Sequence, residues 1–214
     1  MKAFQHWRAN DLKKAFGLEE AIDHPTLLNW INEAYPLDSF DQQVLTRFQK
    51  EKIPYIDYLN EQELSVLITG RIMGQVNFET PHLRSFIGHE IKAKVNNELF
   101  SGKPDWTIAW GEDEPEKPFF FLQENKKSFQ SSGEPMGQCL AAMIVAQQLK
   151  QDAQKPIYGA FVMGERWNFM ILQDKIFSIS QTYLIDNEDI FDVYRILKVV
   201  KKRVFEEAGI AHLL

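Results

Sequence analysis

The sequence predicts an α/β protein in which helices flank a mixed β-sheet, with a helical extension at the N-terminus. Its 214 residues suit one domain, or one domain with a small extension. Hydrophobic residues make up 44% of the chain and charged residues 25%, which is ordinary for a globular protein. Helical and strand-like patterns follow one another as helix, strands, helix, strands and helix. This order predicts a helical segment over residues 1–58 and a core over residues 59–214.

The N-terminal segment is predicted to be helical because it contains no long β-branched run. Apolar residues between positions 27 and 31 recur near helical spacing, and Thr26 behind Pro25 is the expected N-cap of that helix. The segment also carries many aromatic residues. We expect these rings to pack against the main core, with a separate small cluster or a partner-binding surface as the alternatives.

The core elements follow from local periodicity and from turn residues. Asn60 is expected to cap the first core helix, and Gly164 lies in the turn of a predicted hairpin. The predicted helices cover residues 61–73, Pro135–Leu149 and Asn187–Glu207, and the predicted strands are Lys92–Val95, Trp106–Trp110, Phe119–Glu124, Tyr158–Met163, Trp167–Leu172 and Ile176–Ile179.

Charge and cysteine content exclude several classes of protein. The 24 Lys and Arg against 30 Asp and Glu give a net charge of −6, which disfavours non-specific coating of nucleic acid but allows a local basic groove. The one cysteine, Cys139, excludes an internal disulfide and a cysteine-built zinc site, and its apolar neighbours predict a buried thiol.

No apolar run approaches the roughly 18 residues of a membrane span, and no signal-peptide pattern occurs. We therefore expect a soluble, cytoplasmic protein that does not enter a membrane.

The most informative stretch is a pair of predicted strands joined by the acidic loop Gly111–Pro118. If the strands form an antiparallel hairpin centred on that loop, Asp105 lies opposite Glu124, and directly opposed residues have Cβ atoms roughly 4.5–5.5 Å apart. Strand alternation adds Lys126 to the same face. The other residues predicted for that face are Thr107, Ala109, Phe120 and Leu122.

Two carboxylates and one ammonium at the end of an apolar hairpin are costly unless the charges are paired or coordinate a metal. The two carboxylates repel each other at this separation, and a divalent cation relieves the repulsion. Mg²⁺ favours one or two carboxylates together with waters and phosphate oxygens. The hairpin therefore predicts a magnesium site.

Pro104-Asp105 followed by Glu124-Asn125-Lys126 resembles the signature of the PD-(D/E)xK nuclease superfamily, whose fold is that of many restriction endonucleases. The chain holds three acidic-x-Lys triplets, and only this one follows its single Pro-Asp pair. The resemblance implies a restriction-endonuclease-like sheet and hydrolysis of DNA phosphodiester bonds with Mg²⁺ (or Mn²⁺). It implies that Asp105 and Glu124 bind the metal and that Lys126 positions or activates the attacking water. The N-terminal helices and the strands Tyr158–Leu172 resemble those of a bacterial group within the superfamily.

The same resemblance implies two further site residues. A helix before the sheet often brings an acidic residue to the metal in this superfamily, and the helix after Asn60 offers Glu61 and Glu63. A projection at about 100° per residue puts Glu61 on the apolar side and Glu63 towards solvent, although an acidic residue is favoured in any first helical turn. Gln138, in the first turn of the helix after the Glu-x-Lys strand, is expected to reach a phosphate or Lys126; a solvated Gln is the alternative.

Three functions are compatible with these residues. The first is a DNA nuclease, and the second is a catalytically silent module of the same fold that binds or regulates within a larger assembly. The third, an enzyme using paired carboxylates on a sugar, needs no Lys beside the acids. A homodimer is compatible with the nuclease. For the basic residues of the last helix, a solvated face is the alternative to contact with DNA. The expected contacts to the DNA backbone are Lys92, Lys94, Lys103 and Lys127 around the sheet and Lys198, Lys201, Lys202 and Arg203 on the last helix.

Overall fold

A computed structural model describes residues 3–96, 98–125 and 134–214 of the chain. The side chains of Glu98 and of residues 123–125 lie outside this description. A π-helical segment covers Ser65–Thr69. The strands are β1 Glu19–Glu20, β2 Leu83–Ile87, β3 Ile91–Val95, β4 Glu98–Gly102, β5 Trp106–Trp110, β6 Lys117–Asn125, β7 Ile157–Met163, β8 Arg166–Gln173, β9 Ile176–Ile179 and β10 Tyr183–Leu184. The helices are α1 Ala9–Phe16, α2 Pro25–Ile31, α3 Ser39–Lys52, α4 Glu61–Leu64, α5 Gly70–Val76, α6 Pro135–Lys150 and α7 Asp189–Glu207, and 3₁₀ turns cover Phe4–His6, Ile53–Tyr58 and Ala211–Leu213.

The main sheet is mixed and mostly antiparallel, and its strands run in the order β2–β5–β6–β7–β8–β9–β1. β6 and β7 are parallel, because α6 carries the chain back along the sheet between them. β1 and β9 are also parallel, and the other pairs are antiparallel. β10 pairs with β8 as well. β3 and β4 form a separate two-stranded hairpin.

Helices cover both faces of this sheet. On one face α2, α3, α5 and α7 enclose the larger core cluster, in which Trp30, Ile68 and Trp167 are buried. On the other face α6 packs against β6 and β7, and α1 and the β3–β4 hairpin cover α6 from outside. The α/β class with a mixed sheet between helices is confirmed. None of the described helices is long and apolar enough to cross a membrane.

Most core elements lie where local patterns predict them. β5 and β9 match the predicted strands, and the turn at Gly164 joins β7 to β8. α6 and α7 begin or end within two residues of their predicted bounds. The first core helix continues beyond its predicted end to Val76.

The N-terminal residues contribute to both layers of the core. Leu12 is buried in the cluster beside α6, whereas Trp30 and Phe48 are buried in the larger cluster. The Trp30 Nε1–H donates to the Ile196 carbonyl oxygen at 3.0 Å. Packing against the core is therefore confirmed for these aromatic rings, although Tyr58 is exposed.

The predicted N-cap of α2 is wrong. His24 is the N-cap, since its Nδ1 accepts a hydrogen bond from Thr26 N at 3.3 Å, and Pro25 is the first helical residue. Proline suits that first position because its missing N–H needs no partner there, so the cap precedes the proline. The Thr26 hydroxyl instead donates to Gln173 Oε1 at 2.7 Å.

Candidate active site

Asp105 lies in a bend between β4 and β5, where the chain re-enters the main sheet. Its backbone carbonyl accepts a hydrogen bond from Gly88 N at 3.0 Å, which ties the end of β2 to the start of β5. Asp105 is half-buried, between buried Pro104 and buried Trp106. The fold therefore holds a carboxylate at this end of the sheet.

β5 and β6 pair antiparallel as predicted, but their register differs from the prediction. Trp106 lies opposite Leu122. The same pairing continued by one step puts Gln123, and not Glu124, opposite Asp105. The predicted register is therefore wrong by one residue at this end of the hairpin.

The corrected register changes which side chains share a face of the sheet. Thr107 lies opposite Phe121, which packs in the cluster beside α6. Ile108 lies opposite Phe120, and both belong to the larger cluster together with Leu122. The predicted grouping of Thr107 with Phe120 and Leu122 is therefore wrong.

The error in the predicted register begins at the loop, because Trp110 lies opposite Lys117, two residues before the Phe119 that the symmetric hairpin pairs with it. Ile108 lies opposite Phe120 but Ala109 lies opposite Pro118, so Phe119 is an extra residue in β6. Proline has no N–H to donate to a strand ladder, and within a sheet it is tolerated at such irregularities. This extra residue reduces the error from two residues beside the loop to one residue at the Asp105 end.

Glu124 lies near the end of β6, where it pairs with Val162 of β7. Its side chain, and all of Lys126 and Lys127, lie outside the described part of the chain. Neighbouring strands are about 4.8 Å apart and each residue adds about 3.4 Å, so an offset of one residue separates the Cα positions of Asp105 and Glu124 by roughly 6 Å. By strand alternation, however, the corrected register puts position 105 in line with Thr107 and position 124 in line with Leu122, on opposite faces of the sheet. A shared face therefore requires the bend at Asp105 to turn its carboxylate towards Glu124, and this convergence with Lys126 stays a prediction.

The helix before the sheet begins with a capping box. Asn60 Oδ1 accepts a hydrogen bond from Glu63 N at 3.0 Å, and Glu63 Oε2 accepts one from Asn60 N at 2.8 Å. The predicted cap at Asn60 is confirmed, and the Glu63 carboxylate takes part in the same capping box. Glu61 is exposed in the same turn. The role of Glu61 as a metal ligand stays a prediction.

The π-helical segment Ser65–Thr69 separates Glu61 from the part of this helix that contacts β5. Gly70 N donates to Ser65 O across the wide turn. A Cβ at Gly70 would lie 3.7 Å from Trp106 Cζ2, so the backbone here packs directly on the indole ring. The projection that put Glu61 on the apolar side assumes a regular helix, and a π turn changes the rotation per residue. π segments are frequent at functional sites.

The start of α6 is covered by the N-terminal segment. Glu134 Oε2 accepts a hydrogen bond from Ala9 N at 2.7 Å. A Cβ at Gly137 would lie 2.5 Å from the Trp7 carbonyl oxygen, so only glycine allows this approach. Gln138 is half-buried in the same turn, as predicted for its position in the helix. Its contact with substrate stays a prediction.

Two buried polar atoms beside Asp105 have no hydrogen-bond partner among the described residues. They are Trp106 Nε1 and Thr107 Oγ1. A buried polar group without a partner costs roughly 1–3 kcal/mol, so this strand end suits a further polar group such as an ordered water. Nothing in the local sequence distinguishes these two atoms from ordinary core polar groups.

The donor chemistry of the predicted site fits Mg²⁺, because carboxylate oxygens are the ligands that this hard cation takes. In the described part of the chain, no three His, Cys, Asp or Glu side chains lie close enough together to hold a metal ion. The predicted site therefore depends on Glu124, whose side chain lies outside that part.

The basic residues of α7 are engaged within the fold. The Lys202 ammonium lies 3.0 Å from one carboxylate oxygen of Glu33, and the Arg203 guanidinium lies 2.7 Å from the other. The Lys201 ammonium donates to the Val76 carbonyl oxygen at 3.3 Å. These contacts hold α7 to neighbouring helices, and they disfavour the expectation that this helix contacts DNA.

Two buried titratable pairs lie apart from the predicted site residues. The Lys150 ammonium donates to Glu207 Oε1 at 2.8 Å, and burial lowers the pKa of Lys150. The Tyr194 hydroxyl donates to Asp41 Oδ1 at 2.7 Å, and burial together with this acidic neighbour raises the pKa of Tyr194. The first pair links α6 to α7 and the second links α3 to α7, so both pairs stabilise the packing of helices.

Cys139 is buried in α6, as predicted. Burial raises the pKa of its thiol to about 12. The thiolate is the nucleophilic form, so this side chain packs as a small hydrophobe and supplies no chemistry.

No protein-family model matches this chain. No curated protein matches its sequence. Any functional conclusion therefore depends on the residues of this chain and on their arrangement.

Proposed function

We propose that this chain is a metal-dependent nuclease that hydrolyses DNA phosphodiester bonds in the cytoplasm. One observation carries the proposal: Pro104-Asp105 leads into β5, and Glu124 lies near the end of β6, the strand paired with β5. The two halves of the signature therefore meet at one end of the sheet. A helix before the sheet and α6 after β6 add support, because the resemblance implies both.

Each residue of the signature has a separate task in the proposed reaction. Asp105 and Glu124 would hold Mg²⁺ (or Mn²⁺), with Glu61 as a further carboxylate ligand. The bound cation would acidify a water and neutralise charge on the phosphate. Lys126 orients the attacking water and offsets negative charge that develops on the phosphate oxygens. Gln138 donates its side-chain amide to a phosphate oxygen.

The second candidate is a silent module of the same fold that binds or regulates within a larger assembly. The net charge of −6 favours it, because nucleic acid repels an acidic surface. The presence of Asp, Glu and Lys together in the signature disfavours it, since a silent module has no need of all three. Metal binding separates the two functions.

Titration with Mn²⁺ and Mg²⁺, followed by calorimetry and by thermal unfolding, tests the proposal. A metal at 100 times its Kd should stabilise the wild-type chain by about 2.7 kcal/mol. Asp105→Asn should lose this stabilisation and the metal-dependent cleavage of duplex DNA together, because an amide supplies no negative charge for the cation.

Asp113→Asn is the matched control, because Asp113 is exposed in the loop at the opposite end of β5. It should bind metal and cleave like the wild type. A wild-type chain that binds no divalent metal favours the silent module, and undiminished metal binding by Asp105→Asn contradicts the proposed ligand. A matched RNA duplex and sedimentation of the wild type test the choice of DNA and the homodimer.

A further inference from the structure

The β3–β4 hairpin lies beside the proposed site because of where it leaves the main sheet. β2 ends at Ile87, opposite Trp106 of β5, and the hairpin forms the connection between these two strands. The hydrogen bond from Gly88 N to the Asp105 carbonyl oxygen, at 3.0 Å, closes the base of this connection. The hairpin therefore begins and ends within a few residues of Asp105.

One face of the hairpin is basic and exposed. Lys92 and Lys94 alternate along β3 with Ile91, Ala93 and Val95, which pack in the cluster beside α6, so both lysines lie on the face turned away from α6. Lys103, directly after β4, is also exposed. The Glu90 carboxylate lies 3.8 Å from the Lys92 ammonium, and an exposed ion pair of this kind contributes little. All three lysines can therefore meet a ligand.

An aromatic cluster fixes the hairpin on the body of the protein. The Phe100 ring of β4 lies 5.5 Å from the Phe4 ring, 5.3 Å from Trp7 and 5.4 Å from Phe16, measured between centroids. A Cβ at Gly102 would overlap the Phe4 ring, so glycine allows this contact. A hairpin held in this way presents its lysines at fixed positions, which reduces the ordering cost of binding.

The three lysines give a local positive charge to an acidic molecule. The net charge of the chain is −6, and the basic residues of α7 pair within the fold. Lys92 and Lys94 are two residues apart on a strand, which separates their Cα atoms by about 6.8 Å. Successive phosphates along one nucleic-acid strand are separated by a similar distance. An ammonium group is a compact point charge that binds phosphate.

We propose that the lysine face of the β3–β4 hairpin, formed by Lys92, Lys94 and Lys103, binds the phosphate backbone of duplex DNA. This contact would hold one strand against the end of the sheet that carries Asp105. The inference rests on the proposed nuclease function for its ligand, and its test is independent of cleavage.

The test is the salt dependence of duplex binding, measured by fluorescence anisotropy with a labelled DNA duplex in EDTA. The protein is the full chain, as wild type and as the double variant Lys92→Gln/Lys94→Gln. The slope of log affinity against log salt is negative, and loss of two phosphate contacts should reduce its magnitude by about 1.8. Between 50 and 200 mM salt the wild type should therefore lose about 12-fold more affinity than the variant.

Lys50→Gln/Lys175→Gln is the matched control, because it removes the same charge from two exposed positions outside the hairpin. Its slope should equal that of the wild type. The single variant Lys103→Gln should reduce the magnitude of the slope by about 0.9. An unchanged slope in Lys92→Gln/Lys94→Gln overturns the inference. The inference also fails if the wild-type chain does not bind the duplex, or if it binds a polyglutamate peptide more tightly than the duplex.

The outcomes separate this inference from the proposed function. Duplex binding with the expected slopes, but without cleavage in Mg²⁺ or Mn²⁺, supports the hairpin surface and contradicts the nuclease. Metal-dependent cleavage with equal slopes in the wild type and Lys92→Gln/Lys94→Gln supports the nuclease and overturns the hairpin surface.

Discussion

Replacing Glu207 by Gln should leave a buried positive charge without its partner where α6 and α7 end. The Lys150 ammonium lies 2.8 Å from Glu207 Oε1, and the two side chains are only 2% and 16% exposed. The same ammonium lies 4.7 Å from the centre of the Phe119 ring. The other charged groups that act on Lys150 are Lys117 and Lys155, which repel it. Neither can replace the lost carboxylate.

Removing one partner of a buried ion pair costs about 3–5 kcal/mol, whereas an exposed pair contributes at most about 1 kcal/mol. Glutamine keeps the size of the side chain and an oxygen that accepts from the ammonium. We therefore expect the lower end of the range, a loss of about 3 kcal/mol in the free energy of unfolding. For a chain of this length that loss lowers Tm by roughly 6–12 °C.

The pH dependence of the loss checks its cause. Burial holds the pKa of Lys150 below its ordinary value. Between the folded and unfolded pKa values, the unfolded chain binds more protons, so stability rises with pH. Without Glu207 this pKa falls further. The difference between the wild type and Glu207→Gln should therefore shrink as the pH approaches about 10.4, the ordinary pKa of lysine.

Urea unfolding at pH 7 and at about pH 9.5 measures both effects. Glu206→Gln is the matched control, because Glu206 is the exposed neighbour on the same helix, and it should change stability by less than about 0.5 kcal/mol. Replacing both partners, in Lys150→Met/Glu207→Leu, should restore most of the stability. A loss below about 1 kcal/mol in Glu207→Gln, or an equal loss at both pH values, would refute the reasoning.

Two further substitutions test other contacts of the fold. Tyr194→Phe should lower the free energy of unfolding by about 1.5–3 kcal/mol, because the hydroxyl donates to the Asp41 carboxylate at 2.7 Å. The pKa of Tyr194 is raised by burial and by Asp41, so its contribution is fully present below about pH 10 and is lost at higher pH, and alkaline unfolding of the variant should be less steep. Gly137→Ala should cost about 1–3 kcal/mol in thermal unfolding, because its Cβ would meet the Trp7 carbonyl oxygen at 2.5 Å. Gly74→Ala, where nothing lies within 4 Å, should instead stabilise the helix.

Elements with a strong local signal could be predicted from the sequence. Trp106–Trp110 is a short aromatic and β-branched run before an acidic loop, and it forms β5 with those bounds. β1, by contrast, consists of Glu19 and Glu20, which form a strand only because β9 lies beside them. Two residues carry no periodicity, so this strand depends on tertiary pairing that the local sequence does not encode.

The candidate site could be predicted only in part. The signature residues fall at strand ends as expected, but the loop of the hairpin is two residues shorter than the predicted one, and the extra residue Phe119 offsets only one of the two. Neither feature follows from a hairpin folded symmetrically about its acidic loop. The buried partners Lys150 and Glu207 have no sequence signal, because they meet only when α6 and α7 pack on the sheet. Local patterns thus predict elements, whereas contacts between distant residues follow from the complete fold.

Substitutions of the signature residues should separate the water-orienting residue from the metal ligands. The resemblance assigns the water to Lys126 and the metal to Asp105 and Glu124. Lys126→Ala should leave Mg²⁺ binding intact or slightly tighter, because a nearby positive charge disfavours a cation. Cleavage of DNA should still fall by roughly 10²-fold or more, the scale of a lost acid–base or electrostatic group.

Two comparisons make that prediction specific. Asp105→Ala and Glu124→Ala should lose metal binding and cleavage together, because each removes a carboxylate. Lys127→Ala should cleave like the wild type, because strand alternation predicts that it faces away from Lys126. Calorimetry with Mg²⁺ and cleavage of a labelled duplex give the two readouts. If Lys126→Ala cleaves at the wild-type rate while wild-type cleavage is metal-dependent, Lys126 does not act on the water, since a positioned ammonium cannot be lost there without slowing the reaction.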